Sequence, residues 1–168
     1  MSAKLISKVL EIDNCNCDLL LKALFKAAFW EEISPVAKIE VEFTSPNVFF
    51  SKITDEVGKI GDIFKIPIDM EGELVLIDKG EDLGKGNLIE FNVRNNKDVR
   101  DLEGRLRAKS ITPDKTKVGV FIHTLTLSND FLNLLGKGAA EMILRTKITG
   151  MLRNLEKLCK DRRLEDLI

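Results

Sequence analysis

The closing stretch of the chain, residues 128–161, is the longest with helical periodicity. Leu144, Ile148, Met151, Leu155 and Leu158 are spaced four, three, four and three apart, which places them on one stripe of an α-helix. A softer stripe of Leu132, Leu135, Ala139, Met142 and Thr146 precedes it. Ser128, Asn129 or Asp130 can cap the start by accepting a bond from an orphaned N–H, and the KDRR segment at 160–163 lies where the helix dipole favours cations.

Gly136 and Gly138 interrupt this pattern. Each costs about 1 kcal/mol relative to alanine inside a helix. An unbroken helix over 129–160 would run about 48 Å at 1.5 Å per residue, longer than the width expected of a domain this size. The spacing predicts a bend, a helix start near Gly138, or a close approach by another backbone or a ligand.

A rod with an apolar stripe has to be covered, and the preceding residues read mostly as strands. Residues 5–12 carry β-branched residues with partial alternation. Asp13 and Asn14 end that strand, and an asparagine caps the next segment. Residues 17–33 put Leu20, Leu21, Leu24, Phe25, Ala28 and Phe29 on one helical face, as one helix or as two short ones meeting at a kink. Ser34-Pro35 stops it.

Residues 36–43 alternate, with Ile39, Val41 and Phe43 facing one way and Lys38, Glu40 and Glu42 the other. A turn at 45–47 leads into a strand over 48–54. Residues 45–64 also admit a helix, with Ser45 as cap and Pro46 at its first position.

A long strand is expected over 63–78. It sets Phe64, Ile66, Ile68, Met70, Gly72, Leu74 and Leu76 on one face. Pro67, on the other face, lacks an N–H and asks for an edge position or a bulge. Further strands are expected over 88–94, 102–111 and 117–127. Short turns between consecutive strands make a single curved antiparallel sheet.

Composition narrows the function classes. The 168 residues fit one domain, 1–168, with a core of its own. Lys and Arg number 26 against 27 Asp and Glu, without the basic excess of a nucleic-acid binder. No apolar run approaches a membrane span and the first residues lack a signal-peptide core, so a cytoplasmic location is expected. Cys15 and Cys17 lack zinc-ligand spacing, so reduced structural thiols and no metal site are expected. GKG occurs at 84–86 and at 136–138; neither has phosphate-loop spacing and context, and no cofactor is expected.

The order of elements resembles the helix-grip superfamily of START domains, birch-pollen-allergen-like proteins and polyketide cyclases. Within it, the chain is most similar to the carbon monoxide dehydrogenase G-subunit family. The similarity lies in Trp30 followed by Ile33-Ser34-Pro35 and a strand, in MEGELVLID at 70–78, in LEGRLRAKSI at 102–111, and in the closing helix with its early glycines and NLEKL at 154–158. The resemblance implies an α+β fold in which seven antiparallel strands wrap around the C-terminal helix, with an apolar cavity between them. It brings no catalytic motif. Members of the G-subunit family often carry a C-terminal membrane anchor; the sequence to Ile168 contains none, and no anchor is expected.

The expected cavity lining comes from the inward strand set Phe64, Ile66, Ile68, Met70 and Leu74, from Ile89, Phe91 and Leu106, and from Phe121, His123 and Leu125. The helix adds Ala139, Met142, Ile143 and Thr146, and Phe29 and Trp30 are expected as a gate. His123 is the only histidine. On the inward face its imidazole would bind a ligand carboxylate or hydroxyl, or act as a base. Arg105, Arg107 and Lys109, with Arg94 and Arg100, form a basic patch on the sheet exterior, read as solvated charge. The expected partner is a hydrophobic small molecule or lipid, with a homodimer or a partner protein left open. The alternatives are a cyclase- or hydrolase-like enzyme in the same cavity and an assembly partner of a larger redox enzyme.

Overall fold

The computed structural model describes residues 5–58 and 65–168. The chain opens with strand β1 (Ile6–Asp13) and two short helices, α1 (Cys17–Ala23) and α2 (Ala27–Ile33). Six strands come next: β2 (Lys38–Ser45), β3 (Val48–Gly58), β4 (Lys65–Asp82), β5 (Gly86–Arg94), β6 (Val99–Thr112) and β7 (Lys115–Leu127). Helices α3 (Asn129–Leu135) and α4 (Lys137–Lys160) and a 3₁₀ turn (Leu164–Leu167) complete it.

The strands form one seven-stranded antiparallel sheet in the order β1-β7-β6-β5-β4-β3-β2. Strands β2 to β7 are a meander, and β1 closes on β7. The apolar face of the sheet wraps around α4, which buries Ile148, Leu152, Leu155 and Leu158 against it. Met151 and Leu144 pack at the edge of the same core, so the periodic stripe is the buried one.

The segment over 17–33 divides into two helices. Asn16 caps α1 by accepting from the Leu19 N–H at 3.1 Å, and the chain turns at Phe25 and Lys26 before α2 begins. The helical alternative for 45–64 fails over 48–58, which is strand β3. Residues at even intervals there face the core, and β3 pairs with β2 on one side and β4 on the other. Strand β4 meets β5 only from Glu73 to Asp82, so its stretch from Lys65 to Gly72 is a local edge. Pro67 lies in that stretch, where a missing N–H breaks no ladder on the β5 side.

The expected bend in the C-terminal rod is a full break. Gly136 adopts φ +83° between α3 and α4, a conformation open essentially to glycine alone. A second departure lies in β7. Glu103 pairs with Thr124 and Gly104 with Ile122, so His123 is the extra residue of a β-bulge. A bulge shifts side-chain parity, and this one decides which residues of β7 face inward.

Candidate functional site

Two hollows remain between the sheet and α4. The larger has a volume of about 340 Å³ and lies toward the break between the last two helices. Strand β3 brings Phe49, Ser51, Ile53, Asp55 and Val57 to its wall; β4 brings Ile68, Met70 and Leu74. Leu102 and Leu125, neighbours in register, add the far side. Phe131 and Leu135 of α3 and Ala140, Ile143, Leu144, Lys147 and Met151 of α4 close it.

The smaller hollow, about 170 Å³, is lined by apolar residues alone, among them Phe29, Ile89, Phe91, Leu106, Val118 and Ile122. Trp30, Leu74, Leu102, Leu144 and Met151 line both and form the partition. Trp30 is fixed in that wall. Its indole N–H donates to the Leu24 carbonyl at 2.7 Å, its ring meets Phe29 edge-on at 5.6 Å, and it lies 5.3 Å from Phe49.

Among these apolar walls one charged pair faces the larger cavity. Lys147 Nζ lies 2.5 Å from a carboxylate oxygen of Asp55 and also donates to the Pro35 carbonyl at 2.8 Å. The other Asp55 oxygen accepts from the Ala37 N–H at 3.2 Å. The pair is mostly withdrawn from solvent, with Asp55 12% and Lys147 29% exposed. Burial pushes the Asp55 carboxyl up. The bond and charge of Lys147, with the N–H groups of Glu56 and Ala37, outweigh that and hold it below its ordinary value. Lys147, Val57 and Ile143 also line an outer hollow with Glu56, Ala139, Met142 and Thr146, so the pair stands where the cavity meets the surface.

The sequence-predicted residues divide accordingly. Ile68, Met70, Leu125 and Ile143 line the larger cavity, and Ile89, Phe91 and Leu106 the smaller. Ile66 packs beside Phe131 and Leu135 but lines neither. Phe64 lies outside the described residues.

Three expectations need correction. Phe121 faces the sheet exterior, where the Arg105 guanidinium lies 5.8 Å over its ring. His123 sits in the bulge, its Nδ1 3.0 Å from Thr124 Oγ1, and lines neither cavity. The alternation 121, 123, 125 runs through a bulge that reverses parity between Ile122 and Leu125. Ala139, Met142 and Thr146 line the outer hollow instead, because helical phase does not carry across the break at Gly136; Ala140, Leu144, Lys147 and Met151 take the inward positions. As for the gate, Phe29 and Trp30 are both buried, Trp30 within the partition.

Sequence reading missed Asp55 and Lys147. Ending the strand at Thr54 hid Asp55, although it continues the inward series Phe49, Ser51, Ile53. Lys147 stands four residues from both Ile143 and Met151, a signal that was present in the spacing.

No family model matches the chain, and no curated protein matches it in sequence. Its backbone does match solved structures. The protein TTHA0849 from Thermus thermophilus is similar with a TM-score of 0.65 at 13% identity, over 93% of this chain and 97% of that one. A START superfamily protein from Mycobacterium smegmatis has a TM-score of 0.60 at 11% identity, over 93% and 97%. The Zhui aromatase/cyclase from Streptomyces sp. R1128 has 0.54 at 14%, over 96% and 92%. The fold is a START-like helix-grip. Identities this low establish the helix-grip fold, and they do not single out the carbon monoxide dehydrogenase family within it.

Proposed function

We propose that this helix-grip chain is a cytoplasmic binding or carrier protein that holds a hydrophobic or amphipathic small molecule, lipid-like in character, in the larger cavity. The observation that carries the reading is a hollow of about 340 Å³ with mostly apolar walls and one polar station near its outer end. That volume falls in the range of small-molecule sites. Burying apolar ligand surface supplies the affinity, at about 25 cal/mol per Å².

A cyclase- or hydrolase-like enzyme in the same cavity needs an acid–base pair there. Asp55 and Lys147 are titratable groups on the wall, but Lys147 holds the carboxylate ionised and below its ordinary range. A carboxylate so stabilised is a weak base near neutral pH. Binding is therefore the better-supported reading.

Native mass spectrometry of the purified protein followed by solvent extraction tests it. A retained lipid-like mass is expected from the wild type. Leu125→Trp, which fills the larger cavity from β7, should lose that mass and bind a neutral apolar dye at least tenfold more weakly. A Leu125→Trp variant that binds the dye as well as the wild type sinks the proposal.

A further inference from the structure

The Asp55–Lys147 pair determines which polar group a ligand in the larger cavity can carry. This rests on the binding reading above. Both residues line the cavity, one from β3 and one from α4, and their side chains meet at 2.5 Å. Each has further anchoring: Lys147 on the Pro35 carbonyl, Asp55 on the Ala37 N–H. The remaining polar side chains on that wall, such as Ser34 and Ser51, are uncharged hydroxyls.

A lone cavity lysine would select an anionic head. Here its charge is already matched. A ligand carboxylate brought to Lys147 comes close to the Asp55 carboxylate as well, so attraction and repulsion nearly cancel. The head group would still lose its hydration. A ligand ammonium brought to Asp55 meets the same balance with the signs reversed. A neutral hydroxyl is different: it accepts from Lys147 and donates to Asp55 at once, and its desolvation cost is small by comparison.

We propose that the pair makes this cavity selective for neutral amphipathic molecules, with a hydroxyl or similar donor–acceptor group on an apolar body, over fatty-acid-like anions. The pair acts as a net-neutral polar clamp, and the apolar walls take the rest of the ligand.

The test is displacement of Nile red, an uncharged apolar dye, from the full chain at pH 8. The competitors are decan-1-ol, decanoate and decylammonium. Decanol should compete at least tenfold better than either ion. Decanoate and decylammonium should match within about threefold, because a self-neutralised pair gives neither sign an advantage. Desolvation alone would also penalise both ions, so the pair itself is tested by Asp55→Asn. That variant frees Lys147 and should make decanoate bind at least tenfold tighter than decylammonium. Lys147→Gln should reverse the order. Decanoate bound more than tenfold better than decylammonium by the wild type overturns the selectivity while leaving the binding reading intact. So does an unchanged ratio in the variants. If Nile red and all three competitors fail to bind the wild type, the binding reading falls and this inference with it.

Discussion

Trp30 donates its indole N–H to the Leu24 carbonyl at 2.7 Å, tying α2 back to the end of α1 across the turn between them. That bond holds the indole as a partition, with one cavity on either side. Replacing Trp30 by Phe keeps an aromatic wall but removes the donor and leaves a buried carbonyl without it. The expected loss is about 1–3 kcal/mol. Trp30→Ala removes the wall, joins the two cavities, and should cost about 3–5 kcal/mol. Urea unfolding followed by circular dichroism checks both, since Trp30 is the only tryptophan and fluorescence disappears with it. Equal losses in the two variants would show that the wall itself contributes nothing.

Gly104 and Phe91 are partners across β6 and β5, and the Phe91 ring lies directly over the glycine. A Cβ at Gly104 would stand 2.6 Å from that ring, inside any tolerable contact. Gly104→Ala should therefore destabilise by about 1–3 kcal/mol, the usual range for overpacking. Phe91→Leu in the same chain frees the space, so the double variant should lose less than the sum of the two single changes. Additive losses in a double-mutant cycle would place the cost elsewhere than this contact.

The Asp55–Lys147 pair gives stability a pH dependence of fixed sign. Asp55 is held below its ordinary value of 3.8 in the folded chain. Its contribution is thus complete above the unfolded value and disappears as pH falls through the lower, folded one. Asp55→Asn should cost about 1–3 kcal/mol near pH 6, as for a hydrogen bond to a charged group. The gap to the wild type should narrow as pH falls below about 4. Urea midpoints across that interval read it directly, and a gap that widens toward acid contradicts the sign.

How far the sequence carried depends on where periodicity was local. The alternation of Ile68, Met70, Leu74 and Leu76 and the stripe Ile148, Met151, Leu155, Leu158 needed only neighbours in the chain, and each sits on the core side where the spacing put it. Phe121 and His123 were misplaced because a bulge is a property of two strands in register, and β7 shows it only against β6. The helix-borne residues Ala139, Met142 and Thr146 were misplaced for the same kind of reason. Their phase was inherited from Leu132 and Leu135 across a glycine that ends one helix and starts another. Asp55 and Lys147 stayed hidden because charged residues are not sought on an apolar wall, although both fit its periodicity.

The two early glycines of the C-terminal segment should respond in opposite directions to the same substitution. Gly136 has φ +83° and ψ 149°, a region that side chains avoid, while an added Cβ there meets nothing within 4 Å. Strain alone then sets the result, and Gly136→Ala should cost about 1–3 kcal/mol. Gly138 lies inside α4 with no positive φ, and its added Cβ also meets open space. Gly138→Ala should therefore stabilise by about 1 kcal/mol through helix propensity. Phe131 and Leu135 depend on the Gly136 turn to reach Val57 and Ile68 beside the larger cavity. Gly136→Ala should accordingly weaken Nile red binding, while Gly138→Ala leaves it unchanged. Thermal unfolding and dye titration of the two variants side by side give the comparison, and a shift of the same sign in both would mean that the break between α3 and α4 is not maintained by Gly136.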